Sequence, residues 1–182
     1  LGTGSVLGQT IARAIESRLP VVVVTTEPLV GEAARWVARR DVVVLPEVGT
    51  AGPGLLGMGY SIAAGVSARP QAGGWLVLPG DMPLVEPATM VAVARSLAQN
   101  AVVCAQYRGR RGHPVGFSAE LYSELVQLTG DEGARRVMAR YPSLGLEVDD
   151  PGVLVDVDTL ADLADVRRRQ AQDSSPPMAP AK

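Results

Sequence analysis

Two acidic stretches, far apart in the chain, carry the side chains best suited to chemistry on phosphates. In Leu78-Pro79-Gly80-Asp81-Met82-Pro83-Leu84 a carboxylate follows directly on an apolar run, and two prolines and a glycine restrict the turn around it. A carboxylate at the carboxyl end of a parallel strand faces the crevice in which open α/β sheets bind ligands. Asp81 is therefore placed to hold a divalent cation, with Gly80 and the flanking prolines fixing the turn around it and Gly80 counted among the expected cofactor-binding residues. Mg2+ is the natural candidate, because it takes one or two carboxylates together with substrate phosphates. Gly-Asp and Asp-X-Pro are also common turn sequences, and on this segment alone a turn-capping Asp81 is the commoner reading. In Val153-Leu154-Val155-Asp156-Val157-Asp158-Thr159, alternation puts Asp156 and Asp158 on one face of a short strand. Asp158 also stands where a helix N-cap belongs. Carboxylates from two distant segments are what a metal bridging the phosphates of a nucleotide needs.

Three further blocks could meet a ligand. Arg108-Gly109-Arg110-Arg111-Gly112-His113-Pro114 sets arginines on a glycine-punctuated turn, and the guanidinium fork matches phosphate oxygens. A solvated hairpin turn accounts for Arg108 and Arg110 equally well. His113, the single histidine, is either a general acid or base or a hydrogen-bonded structural side chain. In Gly57-Met58-Gly59-Tyr60-Ser61 the glycines let backbone approach a ligand, and Ser61 opens a helix whose free amides suit an anion or a base edge. Loop flexibility and helix packing explain the same glycines. Gly130-Asp131-Glu132-Gly133-Ala134-Arg135 reads as a helix start with Asp131 as N-cap.

The elements that must position these residues alternate between two periods. Leu7, Ile11, Ala14 and Ile15 fall at helical spacing after Ser5, a plausible N-cap, which predicts a helix over 6–18. Strands are expected over 21–24, 42–45, 75–78 and 101–107, with helices over 31–40 and 61–68 and another opening at Pro87. A glycine-rich connection over 46–60 joins the second strand to its helix, and connections this long usually carry function. Beyond a basic turn over 108–112, an antiparallel return strand is expected over 113–117. Helices over 119–128 and 132–140, a strand over 144–148, an acidic turn at Asp149 and Asp150 and a last helix over 159–169 complete the chain. Repeated strand-helix-strand units predict an α/β fold, an open, mostly parallel sheet with helices on both faces.

Composition narrows the classes. With 182 residues and 47% apolar content the chain can bury one sizeable core. One domain is expected over 1–170, followed by a disordered tail over 171–182 whose Pro, Ser, Ala and Gln content cannot order itself. A formal net charge of -2 lacks the broad positive field that non-specific nucleic-acid binding requires. Cys104 is the single cysteine, so no internal disulfide can form. No apolar run approaches the roughly 20 residues that span a bilayer. With no signal-like segment, a cytoplasmic location without membrane or nucleic-acid partners is expected. All basic side chains except Lys182 are arginine.

In order and spacing, these blocks resemble the MobA-like nucleotidyltransferase family, most closely its molybdenum cofactor cytidylyltransferase branch, over residues 5–169. The resemblance implies a Rossmann-like nucleotidyltransferase fold. It further implies transfer of a nucleoside monophosphate from a nucleoside triphosphate, CTP favoured over GTP, to molybdopterin with release of pyrophosphate. By the same resemblance Asp81 is a Mg2+ ligand, with the second acidic position matched by Asp156 and Asp158, Asp158 preferred. Ser61 with Gly57 and Gly59 faces the nucleotide, and the segments containing Arg111 and His113 and containing Asp131 and Arg135 face nucleotide and pterin. The family opens with a strand and a glycine-rich loop carrying an arginine and a lysine for the triphosphate. The match here starts at Leu1-Gly2-Thr3-Gly4, after that lysine, so an N-terminally truncated domain is expected.

Two other classes stay open at this level. One is a non-catalytic module that holds a nucleotide or pterin and delivers it to a molybdenum enzyme or its chaperone. The other is an NAD(P)H-dependent oxidoreductase of the nicotine blue oxidoreductase type, a class found among the family's relatives. No Gly-X-Gly-X-X-Gly turn after a strand supports the second.

Overall fold

The computed structural model describes residues 5–46, 57–159, 161–165 and 168. The N-terminal Gly-rich turn, residues 47–56 of the glycine-rich connection and the tail expected over 171–182 lie outside the described residues.

Helix α1 (Val6–Glu16) starts at Ser5, whose hydroxyl accepts the Gly8 N–H at 3.0 Å and donates to Glu32 at 2.6 Å. One stroke satisfies an orphan helix amide and ties α1 to the next helix. Ile11 packs beside Val23 and Ala33. Strands β1 (Val23–Thr26) and β2 (Val42–Leu45) pair in parallel, Val23 opposite Val42 and Thr26 opposite Leu45. The helix expected over 31–40 is replaced by a 3-10 turn (Glu27–Leu29) opened by Pro28, a single turn of helix α2 (Val30–Ala33), and a second 3-10 turn (Arg39–Asp41). Helix geometry stops because Val37 packs beside Ile11 and Val23 while Ala38 is extended at ψ 149°.

Helix α3 (Met58–Ser67) begins three residues before its expected start, behind an N-cap at Gly57 whose φ of 146° only glycine adopts without strain. Strand β3 (Gly74–Val77), helix α4 (Pro87–Ser96) and strand β4 (Val102–Tyr107) follow where periodicity places them. Strand β5 (Arg110–Ser118) is longer than expected, because the turn before it is only Arg108-Gly109. Both turn residues have positive φ, 49° and 76°, the mirror-image turn that matches strand twist in two-residue hairpins. After a 3-10 turn (Ala119–Leu121), helix α5 (Tyr122–Leu125) is a single turn, and helix α6 (Arg135–Arg140) starts later than 132 because Gly133, at φ 57°, breaks helical geometry. Strand β6 (Ser143–Glu147) and a 3-10 turn (Pro151–Leu154) lead to residues 155–159, and residues 161–165 are helical.

The larger sheet has the order β3-β5-β4-β6. Strand β4 runs parallel to β6, and β5 is antiparallel to both β3 and β4, so three of the four strands point the same way. The fold is thus mixed α/β with parallel-rich sheets, and β5 is the exception to the parallel pattern. On β4, Val102 and Cys104 enter one core with Ile62, Val66, Leu125 and Val137, whereas Val103 and Ala105 enter another with Val93 and Val153. Alternation with period two therefore buries both faces, the first under α3, α5 and α6, the second under α4 and the 3-10 turn at 151–154. Gly116, on β5, has no side chain because Leu76, Val93 and Leu97 occupy that space. Among the described residues, no helix is long and apolar enough to cross a membrane.

Candidate active site

Asp81 leaves the end of β3 on a turn held from both sides. The buried hydroxyl of Thr10 in α1 donates to the Gly80 carbonyl at 2.9 Å, and the Val157 N–H donates to the Asp81 carbonyl at 2.8 Å. Both peptide units flanking the Asp81 Cα are thereby fixed while its side chain is exposed. The second bond brings the late acidic segment directly alongside Asp81. The short strand expected to carry Asp156 and Asp158 does not form: a 3-10 turn takes up Pro151–Leu154, and Val157, bonded to Asp81 and 2% exposed, lies between the exposed Asp156 and Asp158.

The N-cap expected at Asp158 belongs instead to Thr159. Its hydroxyl accepts the Asp162 N–H at 3.2 Å and donates to the Asp162 carboxylate at 2.7 Å, and its carbonyl accepts the Leu163 N–H. Capping therefore does not occupy the Asp158 carboxylate. Among the described residues, no three His, Cys, Asp or Glu side chains converge closely enough to cage a metal. An exposed set of hard oxygen donors on two adjacent segments fits a cation that keeps open positions for phosphates, Mg2+ or Mn2+.

The two acidic segments are joined along their length. Asp150, 2% exposed, accepts the Glu86 N–H at 2.8 Å and the Thr89 hydroxyl at 2.7 Å on one carboxylate oxygen, and the Gly152 N–H at 2.9 Å on the other. Gly152 lies so close to the Leu84 carbonyl that a Cβ there would collide with it. Contacts 81 with 157, 84 with 152 and 86 with 150 describe two stretches running antiparallel. Sequence reasoning read Asp150 only as part of an acidic turn. The following Pro151-Gly152 marks a tight turn, but nothing local shows that the carboxylate turns inward to α4.

His113 reaches the same end of the sheet. Val77 pairs with Val115, so β5 carries His113 past the end of β3 toward the Asp81 turn. Burial pushes the His113 imidazole below its usual 6.5, and the Asp81 charge, close enough to act on it, pulls the other way. Burial, the larger of the two effects, favours the neutral ring. Gly112 is required because its strand crosses the Val153 carbonyl, where a Cβ would collide. Arg111 is exposed and donates to the Ser143 hydroxyl at 2.8 Å and the Ser143 carbonyl at 3.3 Å, which directs it onto β6. Arg108 stacks on Tyr107 with 5.0 Å to the ring centroid, and Arg110 is exposed.

The two glycine-rich blocks meet each other. The Gly59 N–H donates to the Gly130 carbonyl at 2.9 Å, and the Ser61 N–H donates to the Gly57 carbonyl at 3.1 Å. A Cβ on Gly57 would strike the Asp131 carboxylate, and one on Gly133 would crowd Met58. The Gly59 amide expected to face a ligand is therefore engaged within the protein, and a carboxylate already sits by the positive end of α3. Gly80 leaves room for Leu7, whose methyl a Cβ would approach to 3.0 Å.

Residues 1–144 match the family described as the MobA-like NTP transferase domain. The purine catabolism protein PucB of Bacillus subtilis (strain 168) is 32% identical over 118 residues, 62% of this chain; the chain spans 57% of the length of that curated relative. Among solved structures, Rv0371c of Mycobacterium tuberculosis H37Rv is similar at 28% identity, with 93% of this chain and 85% of that one covered and a TM-score of 0.69. The same protein in complex with manganese is similar at 27% identity over 88% of this chain and 85% of that chain, also with a TM-score of 0.69. A nucleotidyl transferase from Methanothermobacter, 21% identical over 93% of this chain and 82% of its own, shares the fold at a TM-score of 0.67.

Proposed function

The chain belongs to the MobA-like NTP transferase domain family, and from that premise we propose that it is a nucleotidyltransferase that moves cytidine monophosphate from CTP to the terminal phosphate of a molybdopterin-type acceptor. In this reaction an acceptor phosphate oxygen attacks the α-phosphorus, the bond from that phosphorus to the bridging oxygen breaks, and pyrophosphate leaves with the electron pair.

The observation that supports the reading is the Val157–Asp81 backbone bond, which joins the turn carrying Asp81 to the segment carrying Asp156 and Asp158, all three of them exposed residues. In the proposed site Asp81 and Asp158, with Asp156 beside them, hold Mg2+. The manganese complex of a similar protein supports a divalent cation of this kind. When bound, the cation neutralises charge that builds on the phosphates. The protein's own share is positional. Thr10 and Val157 hold the Asp81 turn rigid, and neutral His113 offers a ring N–H to a phosphate oxygen. Gly57, Gly59 and Ser61 face the base and sugar instead of the phosphates, because the Asp131 carboxylate lies at that helix end. Arg111 holds the acceptor side from its perch on β6. A cytoplasmic setting is proposed with the buried, reduced Cys104 in view.

The test is an assay of pyrophosphate release with molybdopterin, Mg2+ and either CTP or GTP, with NADH oxidation followed in parallel. CTP-dependent, acceptor-dependent release is expected. Nucleotide binding without release, or NADH oxidation, overturns the proposal.

A further inference from the structure

We propose that Asp150, a buried carboxylate that touches neither nucleotide nor cation in the reading above, is a positioning residue for the paired acidic segments; this inference rests on that reading of the metal site. Three observations carry it. Asp150 is 2% exposed and spends both oxygens on three donors, two of which, the Glu86 N–H and the Thr89 hydroxyl, belong to the start of α4 and the third, the Gly152 N–H, to its own turn. Glu86 closes the turn that begins at Asp81, and Gly152 opens the stretch that ends at Asp158. Between these anchors the two stretches are in contact at Gly152 with Leu84 and at Val157 with Asp81. Asp150 is therefore the side-chain bolt at one end of an antiparallel pair whose other end presents the carboxylates. Slackening it lets residues 81 and 156–158 move relative to one another.

An amide cannot replace this carboxylate. Asparagine has one acceptor oxygen and one NH2, so either the Glu86 N–H or the Gly152 N–H must face a donor. At a side chain only 2% exposed, a donor left facing another donor is costly. The same partners explain why Thr89→Val, close to isosteric, should slacken the bolt less.

The test titrates Mn2+ alone, read by water-proton relaxation, against the full chain and four variants. Asp81→Asn reports whether the proposed site holds the metal. Asp150→Asn is expected to raise the half-saturating Mn2+ concentration roughly 10-fold or more, in line with the loss on mutating groups that support metal ligands, and Thr89→Val by a smaller factor. Leu121→Ala, which opens the core beside the far end of β5, is expected to lower Tm without moving the Mn2+ midpoint. If Asp150→Asn does not fold, Thr89→Val decides the matter by the same criterion. A midpoint unchanged in Asp150→Asn or, failing that, in Thr89→Val, or one equally raised in Leu121→Ala, overturns the positioning role while leaving the metal site standing. Equal binding by the unsubstituted chain and Asp81→Asn removes the site itself, and this inference with it.

Discussion

The two ends of the four-stranded sheet differ in what they offer a ligand. At the start of β3 and β4 lies a cleft of about 430 Å³ lined by Gly73, Leu97, Ala98, Asn100, Ser118 and Glu120. It has space, but Glu120 is its one ionisable side chain. At the other end, beyond Val77, the turn carrying Asp81 is bonded through its backbone to the segment carrying Asp156 and Asp158, and His113 lies near enough to feel the Asp81 charge. Volume alone does not locate chemistry. What counts is whether groups that can handle charge are held in fixed relation, and open α/β sheets achieve this at the carboxyl ends of their strands.

Substituting one residue at each end should separate the two regions most sharply. Asp81→Asn is expected to lower nucleotidyl transfer by roughly 10²-fold or more, the scale of losing one electrostatic stabiliser, with Tm within about 2 °C of the parent because the side chain is exposed. Pyrophosphate release and a thermal melt measure the two quantities, and turnover persisting near the parent rate removes Asp81 from the site.

Next in size is Gly152→Ala. The added Cβ collides with the Leu84 carbonyl, which is backbone and can yield only by shifting the turn. A loss of about 2 kcal/mol is expected, within the range for overpacking a tight contact, and urea unfolding reads it. An unchanged midpoint means that the two stretches are less closely joined than described.

A smaller effect follows from His113. Its folded value lies below 6.5, so the unfolded chain binds the proton more readily. Its contribution is fully present above pH 6.5 and is lost as pH falls through the lower folded value. His113→Gln should therefore flatten the decline in Tm between pH 7.5 and the acid side, and identical pH profiles would reject a half-buried imidazole with a lowered pKa. Least of all should happen at the far cleft, where Glu120→Gln is expected to leave transfer within about twofold. A large loss there would transfer the chemistry to the wrong end of the sheet and break the contrast.

Much of the Asp81 end is legible in linear order because the relevant rules are local. A carboxylate just after an apolar run, with prolines around it, marks a strand end. Asp156 and Asp158 flanking Val157 show which residue turns inward. The two-faced burial of β4 follows from an unbroken apolar run. Local reasoning failed where partners are distant. It placed the helix cap on Asp158, one residue before Thr159. It extended helices through Ala38 and Gly133, where packing of Val37 and a positive φ end them. It also left the amides of the glycine-rich block for a ligand, although Gly130 takes that of Gly59.

By itself the amino-acid order determined which side chains could handle phosphate and metal, and which positions alternate between core and solvent, because periodicity and turn sterics act over a few residues. Only the tertiary structure decided that the antiparallel return strand β5 inserts between β3 and β4, that residues 150–158 lie along residues 81–86, and that Asp150 turns inward to α4. Those outcomes depend on surfaces dozens of residues apart finding complementary shape and hydrogen-bond partners, and no short window of sequence contains both halves of such a match.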